Sequence, residues 1–363
     1  MELAMLNVRQ FGARGDDKAD DTAAIQKAID AAAEIKGSVF FPDGTYLCST
    51  LTMHDFTGLV AHPTYSYYIP AGAVLKLADP KATCLLDMTQ SRGSTLNGLC
   101  LIGENLGAGI HGLWFKGDKP RDREDGTRIE RCMISRFSGD GVHVGFIWCF
   151  TIRSSIVGGN KGHGLWLRGC DGFVIDNWLS GNGGAGIFCP AGNSTASNTI
   201  TANRIEWNAG GGIRLQPGYF CNITGNYFDR SGGPAIALLE QSGAPNLCFT
   251  ITGNLMYRSG RPEWTKDDLE SCHVRLENGH GIVFSNNTMC VGTDDKEGQL
   301  SPRYGMVLRG LKNSIIKDNS MHIGALKQLV LDQGRHGEGV VIKDNVGSLL
   351  SPCFKSIWES DER

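Results

Sequence analysis

Four short runs decide how this chain folds: Val174-Ile175-Asp176-Asn177, Ile200-Thr201-Ala202-Asn203, Ile223-Thr224-Gly225-Asn226 and Ile251-Thr252-Gly253-Asn254. Each ends in Asn, with an apolar residue two places on (Leu179, Ile205, Phe228, Met256) and then a small or polar turn. Three units add a second apolar run: Gly186-Ile187-Phe188, Gly212-Ile213-Arg214-Leu215 and Ala235-Ile236-Ala237-Leu238. The Asn residues lie 26, 23 and 28 positions apart, which is the period of one solenoid coil. No unit has a helical pattern, so the expected stack is a parallel β-helix. Coils about 4.8 Å apart place equivalent side chains above one another. A buried Asn can then bond to the coils on either side and take the left-handed corner of the turn. Asn287 and Asn319 extend the column.

A solenoid absorbs 363 residues in one body, and 49 Gly against 12 Pro suit a chain that turns often without being disordered. The net charge of −3 gives no basic surplus for nucleic acid or an anionic membrane. Twelve Cys, none in a Cys-x-x-Cys pair, read as buried core thiols rather than a disulfide or metal framework. Neither a membrane span nor a signal peptide is evident, so the compartment stays open between cytoplasmic and secreted with a leader removed.

Near the N-terminus, Phe11-Gly12-Ala13-Arg14-Gly15-Asp16, Asp20-Asp21-Thr22, Ile25-Gln26 with Ala28-Ile29-Asp30, and Gly37-Ser38-Val39-Phe40-Phe41-Pro42-Asp43-Gly44-Thr45-Tyr46 resemble the entrance of pectate-lyase-superfamily β-helix proteins. The resemblance implies an all-β solenoid, a single-stranded right-handed parallel β-helix, and a carbohydrate substrate. It implies no single reaction, because that superfamily includes lyases, hydrolases, epimerases and viral tailspikes. The residues themselves read as a strand, an acidic turn and an amphipathic helix with Ile25, Ala28, Ile29 and Ala32 on one face, placed to cap the open solenoid end. Asp16, Asp20 and Asp21 are then turn and capping residues. One domain is expected over 1–363: a cap region to 50, irregular coils over 51–126, regular coils over 127–350 and a tail over 351–363. Long interruptions at 257–272 and 292–303 are expected on one face.

Strict alternation turns Val142, Leu165, Ile187, Ile213 and Ile236 inward and His143, Trp166, Phe188 and Arg214 outward as one row, flanked by Arg168 and Gln216 and continued by Glu277 and Arg309. Aromatic faces pack on sugars and Arg forks bind carboxylates, so the row reads as a substrate groove, with a subunit interface as the alternative. Three places beyond each Asn, Ser180, Glu206, Asp229 and Tyr257 face outward. Stacked Glu206 and Asp229 would repel and leave one protonated, the arrangement of a glycosidase acid and its base or nucleophile. Glu240 is a third carboxylate. Leu238-Leu239-Glu240 resembles the inulin fructotransferase family, which is also β-helical. Asp140 and His163 share a column at the preceding turn, a general-base pairing, or else two structural turn residues. His280 is read as a turn residue.

No clustered aspartates occupy a regular coil and the paired aspartates of polygalacturonases are absent, so no metal and no cofactor is expected. The loop acids Glu263, Asp267, Asp268, Glu270, Asp294, Asp295 and Glu297 read as a solvated charge run. The leading reading is an enzyme that cleaves or rearranges a glycosidic bond in an oligo- or polysaccharide with two carboxylates, Asp229 with Glu206 or Glu240. The rivals are β-elimination of a uronate based on His163, Lys161, Arg168 and Arg214, and a non-catalytic glycan binder. Sideways association of such solenoids makes a homo-oligomer, a trimer among them, compatible with the chain.

Overall fold

The computed structural model describes residues 5–117, 122–192, 195–241, 243–261, 263, 265, 267–292, 298 and 300–350. Asp294, Asp295, Glu297 and the tail lie outside them. The chain divides into two compact units, Met1–Gly183 and Gly184–Arg363. Each is an all-β parallel solenoid with the right-handed sense that twisted strands impose on parallel crossovers.

In the first unit, three parallel ladders grow by one short strand per coil. One runs through Gly58–Val60, Thr95–Asn97, Arg128–Glu130, Thr151–Arg153 and Phe173–Ile175. A second runs through Cys84–Asp87, His111–Phe115, Val142–Trp148 and Leu165–Cys170. The third runs through Gly44–Cys48, Ala73–Leu77, Cys100–Ile102, Met133–Ser135, Ile156–Gly158 and Trp178–Ser180. The helix Thr22–Glu34 buries Ile25, Ala28, Ile29 and Ala32 and packs on the first coils, as expected of a cap. Asp21 accepts the backbone N–H groups of Arg14 (2.7 Å) and Gly15 (2.9 Å), and Asp20 accepts that of Thr22 (2.9 Å). These two aspartates tie the Gly-Asp turn to the helix start.

The second unit repeats the plan. Ile187, Ile213, Ile236, Val274 and Met306 follow one another in register, all fully buried. Burial of each such side chain stabilises the fold by about 1.5–3 kcal/mol. The cysteines among the described residues are free thiols; burial raises Cys84 and Cys100 to about 11, as befits packing residues rather than nucleophiles. No helix of the described residues is long and apolar enough to cross a membrane.

The Asn column is a continuous hydrogen-bond ladder. In the second unit Asn203, Asn226, Asn254, Asn287, Asn319 and Asn345 follow one another. Asn226 Oδ1 accepts both the backbone N–H (3.0 Å) and the Nδ2–H (2.9 Å) of Asn203, and Asn254 Oδ1 accepts the same pair from Asn226 (3.0 and 3.0 Å). Each Nδ2 also reaches a carbonyl of the coil before, Ile200 from Asn226 (2.9 Å) and Ile223 from Asn254 (3.0 Å). The left-handed corner is not the Asn itself but the residue before it: Asp176, Ala202, Gly225, Gly253, Asn286 and Asp318 have φ of 48°, 57°, 62°, 66°, 55° and 56°. The corner swings the chain so that the next side chain points inward, which frees the Asn backbone N–H for the ladder.

Replacing Asn254 with Ala leaves the Asn226 backbone N–H without its acceptor in the interior and removes one of the two donors to Asn287 Oδ1, the residue-254 backbone N–H keeping the other. Urea unfolding is expected to show a loss of about 2–4 kcal/mol; a loss below about 0.5 kcal/mol would show that the ladder is not a structural tie.

Candidate active site

Within the first unit the chain says nearly the same phrase three times: His111-Gly112-Leu113-Trp114, Asp140-Gly141-Val142-His143 and His163-Gly164-Leu165-Trp166. Strand register sets Leu113 beside Val142 beside Leu165, and Trp114 beside His143 beside Trp166. The middle coil thus carries Asp where its neighbours carry His, and His where they carry Trp. Gly141 permits the close approach, since a Cβ there would stand 2.5 Å from Val157 Cγ1 and 2.9 Å from the Gly164 carbonyl oxygen.

His143 Nδ1 donates to Asp140 Oδ2 at 2.7 Å. Asp140 is itself fixed three ways. Its Oδ1 accepts the His163 backbone N–H (2.7 Å), its own N–H donates to His111 Nδ1 (3.0 Å), and its Oδ2 lies 3.3 Å from that same nitrogen. Burial alone would raise this carboxyl, but the two imidazoles and the His163 amide outweigh it and hold Asp140 well below the usual carboxylate range. A permanently ionised Asp140 keeps the His143 proton on Nδ1 and leaves Nε2 as the basic nitrogen. The His143 ring stacks on Trp166 (centroids 4.4 Å, 17° between planes) and leans on His111 (4.3 Å), with Trp114 edge-on at 6.5 Å. Both faces are covered, so the ring meets solvent by its edge. Lys116 lies over Trp114 and bonds Asp87 at 2.7 Å. Arg168 shares the outward face of Trp166, and no ion pair among the described residues engages it.

Asp140 therefore holds the imidazole of His143, three residues on in its own coil, and meets His163 through the latter's main chain. Among the described residues, His111, Asp140 and His143 are also the set able to hold a metal ion, with ligand atoms within 4.8 Å of one another. A transition metal would fit that donor set only by replacing the hydrogen bonds that now join it.

In the second unit Glu206 and Asp229 are register neighbours, as the alignment requires, but only 6% and 3% exposed. Arg204 Nε holds Glu206 at 2.7 Å and Arg230 holds Asp229. Arg204 lies over Tyr227 and Arg230 over Trp207 and Tyr257, so these rings and guanidinium groups roof the two carboxylates. Burial raises Asp229 from 3.8 to about 6, Arg230 opposes, and the Glu206 charge adds to the rise. Arg214, read as a substrate-binding member of the outward row, is paired with Glu270 at 2.7 Å. Arg275 bonds Asp267 and Glu270, both at 2.8 Å, and Arg303 pairs with Asp268. The described loop acids thus brace the loop, Asp267 and Asp268 while half-exposed to solvent and Glu270 largely covered. Gln216 is half-buried, two places beyond Arg214. Glu240, 40% exposed at its side chain, meets Arg309 at 3.3 Å, which also holds Glu277 at 3.1 Å.

Residues 5–76 match the family model described as rhamnogalacturonase A/epimerase, pectate lyase-like, and residues 120–255 match that of the right-handed beta helix region. The chain has the right-handed parallel β-helix fold, with a pectate-lyase-like match over its N-terminal part. Mannuronan C5-epimerase AlgE3 of Azotobacter vinelandii is 35% identical over 193 residues, covering 48% of this chain and 10% of that protein. The chain thus matches a small part of such relatives' length. Among solved structures, the A-module of mannuronan C-5 epimerase AlgE4 from the same organism aligns over 94% of this chain and all of that one, with TM-score 0.69 and 18% identity. DFA-IIIase from Arthrobacter chlorophenolicus A6 without its lid aligns over 96% and 99%, with TM-score 0.66 and 12% identity. At these identities the structural likeness shows the fold.

The sequence reading of this β-helix protein missed His111 and Trp114, which lie in coils taken as irregular. The signal was present, because the tetrapeptide His-Gly-Leu-Trp occurs at 111–114 and again at 163–166.

Asp229 gives a pH test. With its carboxyl raised in the folded state, its contribution to stability is complete below pH 3.8 and is lost as pH rises through about 6. The unfolding free energy of Asp229→Asn relative to the parent is therefore expected to rise by about 1–3 kcal/mol between pH 4 and pH 7.5. A flat difference would mean that the carboxyl is not shifted upward.

Proposed function

We propose that this protein is an enzyme acting on a polysaccharide and that it withdraws a proton from a uronate residue, with His143 as the base. The observation that carries the reading is the 2.7 Å contact from His143 Nδ1 to an ionised Asp140, on a half-buried outward row with Trp114 and Trp166. The C5 hydrogen of a uronate is acidic only when its carboxylate is neutralised. Arg168, on the outward face of the same strand as Trp166, supplies a guanidinium for that purpose. The C5–H bond breaks, its proton passes to His143 Nε2, and the electron pair is held on the carboxylate as an enolate. Loss of the C4 oxygen, which takes the proton back from His143, then gives an unsaturated sugar; return of a proton from water to the opposite face, with His143 releasing its own to solvent, gives the C5 epimer. The similarity to mannuronan C5-epimerases supports the uronate class.

Glycosidic cleavage by two carboxylates is the second reading, favoured by one observation. Glu240 and Glu277 share Arg309, and Glu240 is exposed, whereas Glu206 and Asp229 are roofed over.

Turnover on uronate polymers in heavy water, followed by product mass and by absorbance of unsaturated uronate, separates these. Elimination adds absorbance, epimerisation adds deuterium at C5, and hydrolysis adds water. His143→Ala is expected to lower kcat by about 10²–10⁴-fold, with Asp229→Asn within about threefold of the parent. Hydrolysis products formed at an undiminished rate by His143→Ala would overturn the proposal.

A further inference from the structure

The second unit holds a cleft that the proton-abstraction site does not use. Its volume is about 340 Å³, within the range of small-molecule sites, and its walls include Glu240, Asn278, His280, Arg309, Lys312 and Arg335. They come from the corner between two ladders. Arg309 ends the strand Tyr304–Arg309 beside Glu277, and His280 bridges in parallel to Lys312 one coil on.

The charges in this cleft are unevenly satisfied. Arg309 is already shared by Glu240 and Glu277. Lys312 has only Glu338 at 3.4 Å, a carboxylate 78% exposed, which makes a weak surface pair. No hydrogen bond or ion pair among the described residues engages the Arg335 guanidinium or the His280 ring, although both line the cleft. A wall with one unclaimed guanidinium, one loosely held ammonium and an imidazole asks for an anion. Glu240 and the Asn278 amide beside them suit hydroxyl groups, the remaining chemistry of a sugar acid.

We infer that this cleft is a second saccharide-binding site, which takes an anionic sugar residue with its carboxylate between Arg335 and Lys312 and its hydroxyls on Glu240 and Asn278. The inference shares with the proposed function only the choice of a uronate ligand and needs no catalysis at His143.

Calorimetric titration of the full chain with a galacturonate or mannuronate tetramer, and with maltotetraose as neutral control, tests it. Combined Arg335→Ala and Lys312→Ala is expected to remove one binding site per chain. The stoichiometry falls from two to one if the His143 row also binds, or from one to none if it does not, so failure of the catalytic reading stays distinguishable. Arg335→Lys is expected to retain the site with affinity reduced about tenfold, because an ammonium cannot reproduce the bidentate contact. Unchanged stoichiometry in the double variant, folded by circular dichroism, or equal affinity for maltotetraose, would overturn the inference.

Discussion

Everything in this structure depends on the vertical bonding of one coil to the next. A coil of about 20 to 38 residues encloses too little apolar volume to stand alone, and its strands of two to seven residues are too short to pair usefully in isolation. Stacking solves both problems: Ile lies on Ile through the core, and each buried Asn amide spends its donors and acceptor on the neighbouring coils. Because an Asn side chain offers two donors and two acceptor lone pairs, it can serve both directions at once, with one donor more than a Ser hydroxyl and two more than an ionised Asp. The ladder also fixes register, and register decides which distant residues meet.

The histidine site is a product of that register. Three coils contribute one phrase each, and the two substitutions in the middle coil exchange a wall of Trp and His for an acid that holds a base. Asp140 sits between two His positions and His143 between two Trp positions, so the carboxylate receives N–H groups from His143 in its own coil and from the His163 backbone in the next, and the imidazole is clamped between rings. The site costs the fold little, since the buried Asp140 carboxylate is paired and the inward side of each strand remains apolar. The second unit shows the opposite use of the same geometry. There the stacked acids are matched by arginines and covered by aromatic rings, which makes them structural ties and not solvent-facing acids.

The fold was legible because its signals are local and periodic: the Asn at each corner, the β-branched runs before it and the acidic turn ahead of the capping helix. The outward row was legible for the same reason, and alternation alone put His143, Trp166 and Arg214 on the exposed side. What alternation could not supply is reach. Arg214 faces outward as read, but Glu270 arrives from an irregular loop to hold it. Glu206 and Asp229 are neighbours as read, but Trp207, Tyr227 and Tyr257 close over them through side-chain length and not through strand period. The left-handed corner fell one residue earlier than read, because the Asn needs its own backbone N–H for the ladder.

The central claim, that coil stacking builds an Asp-held imidazole with a free Nε2, is open to direct measurement by nitrogen-15 NMR of the His143 ring. The account predicts that the neutral form of the ring is protonated on Nδ1 and not on Nε2, and that this preference is lost when Asp140 is replaced by Ala. A His143 ring protonated on Nε2 in the parent protein, or indifferent to the loss of Asp140, would contradict it.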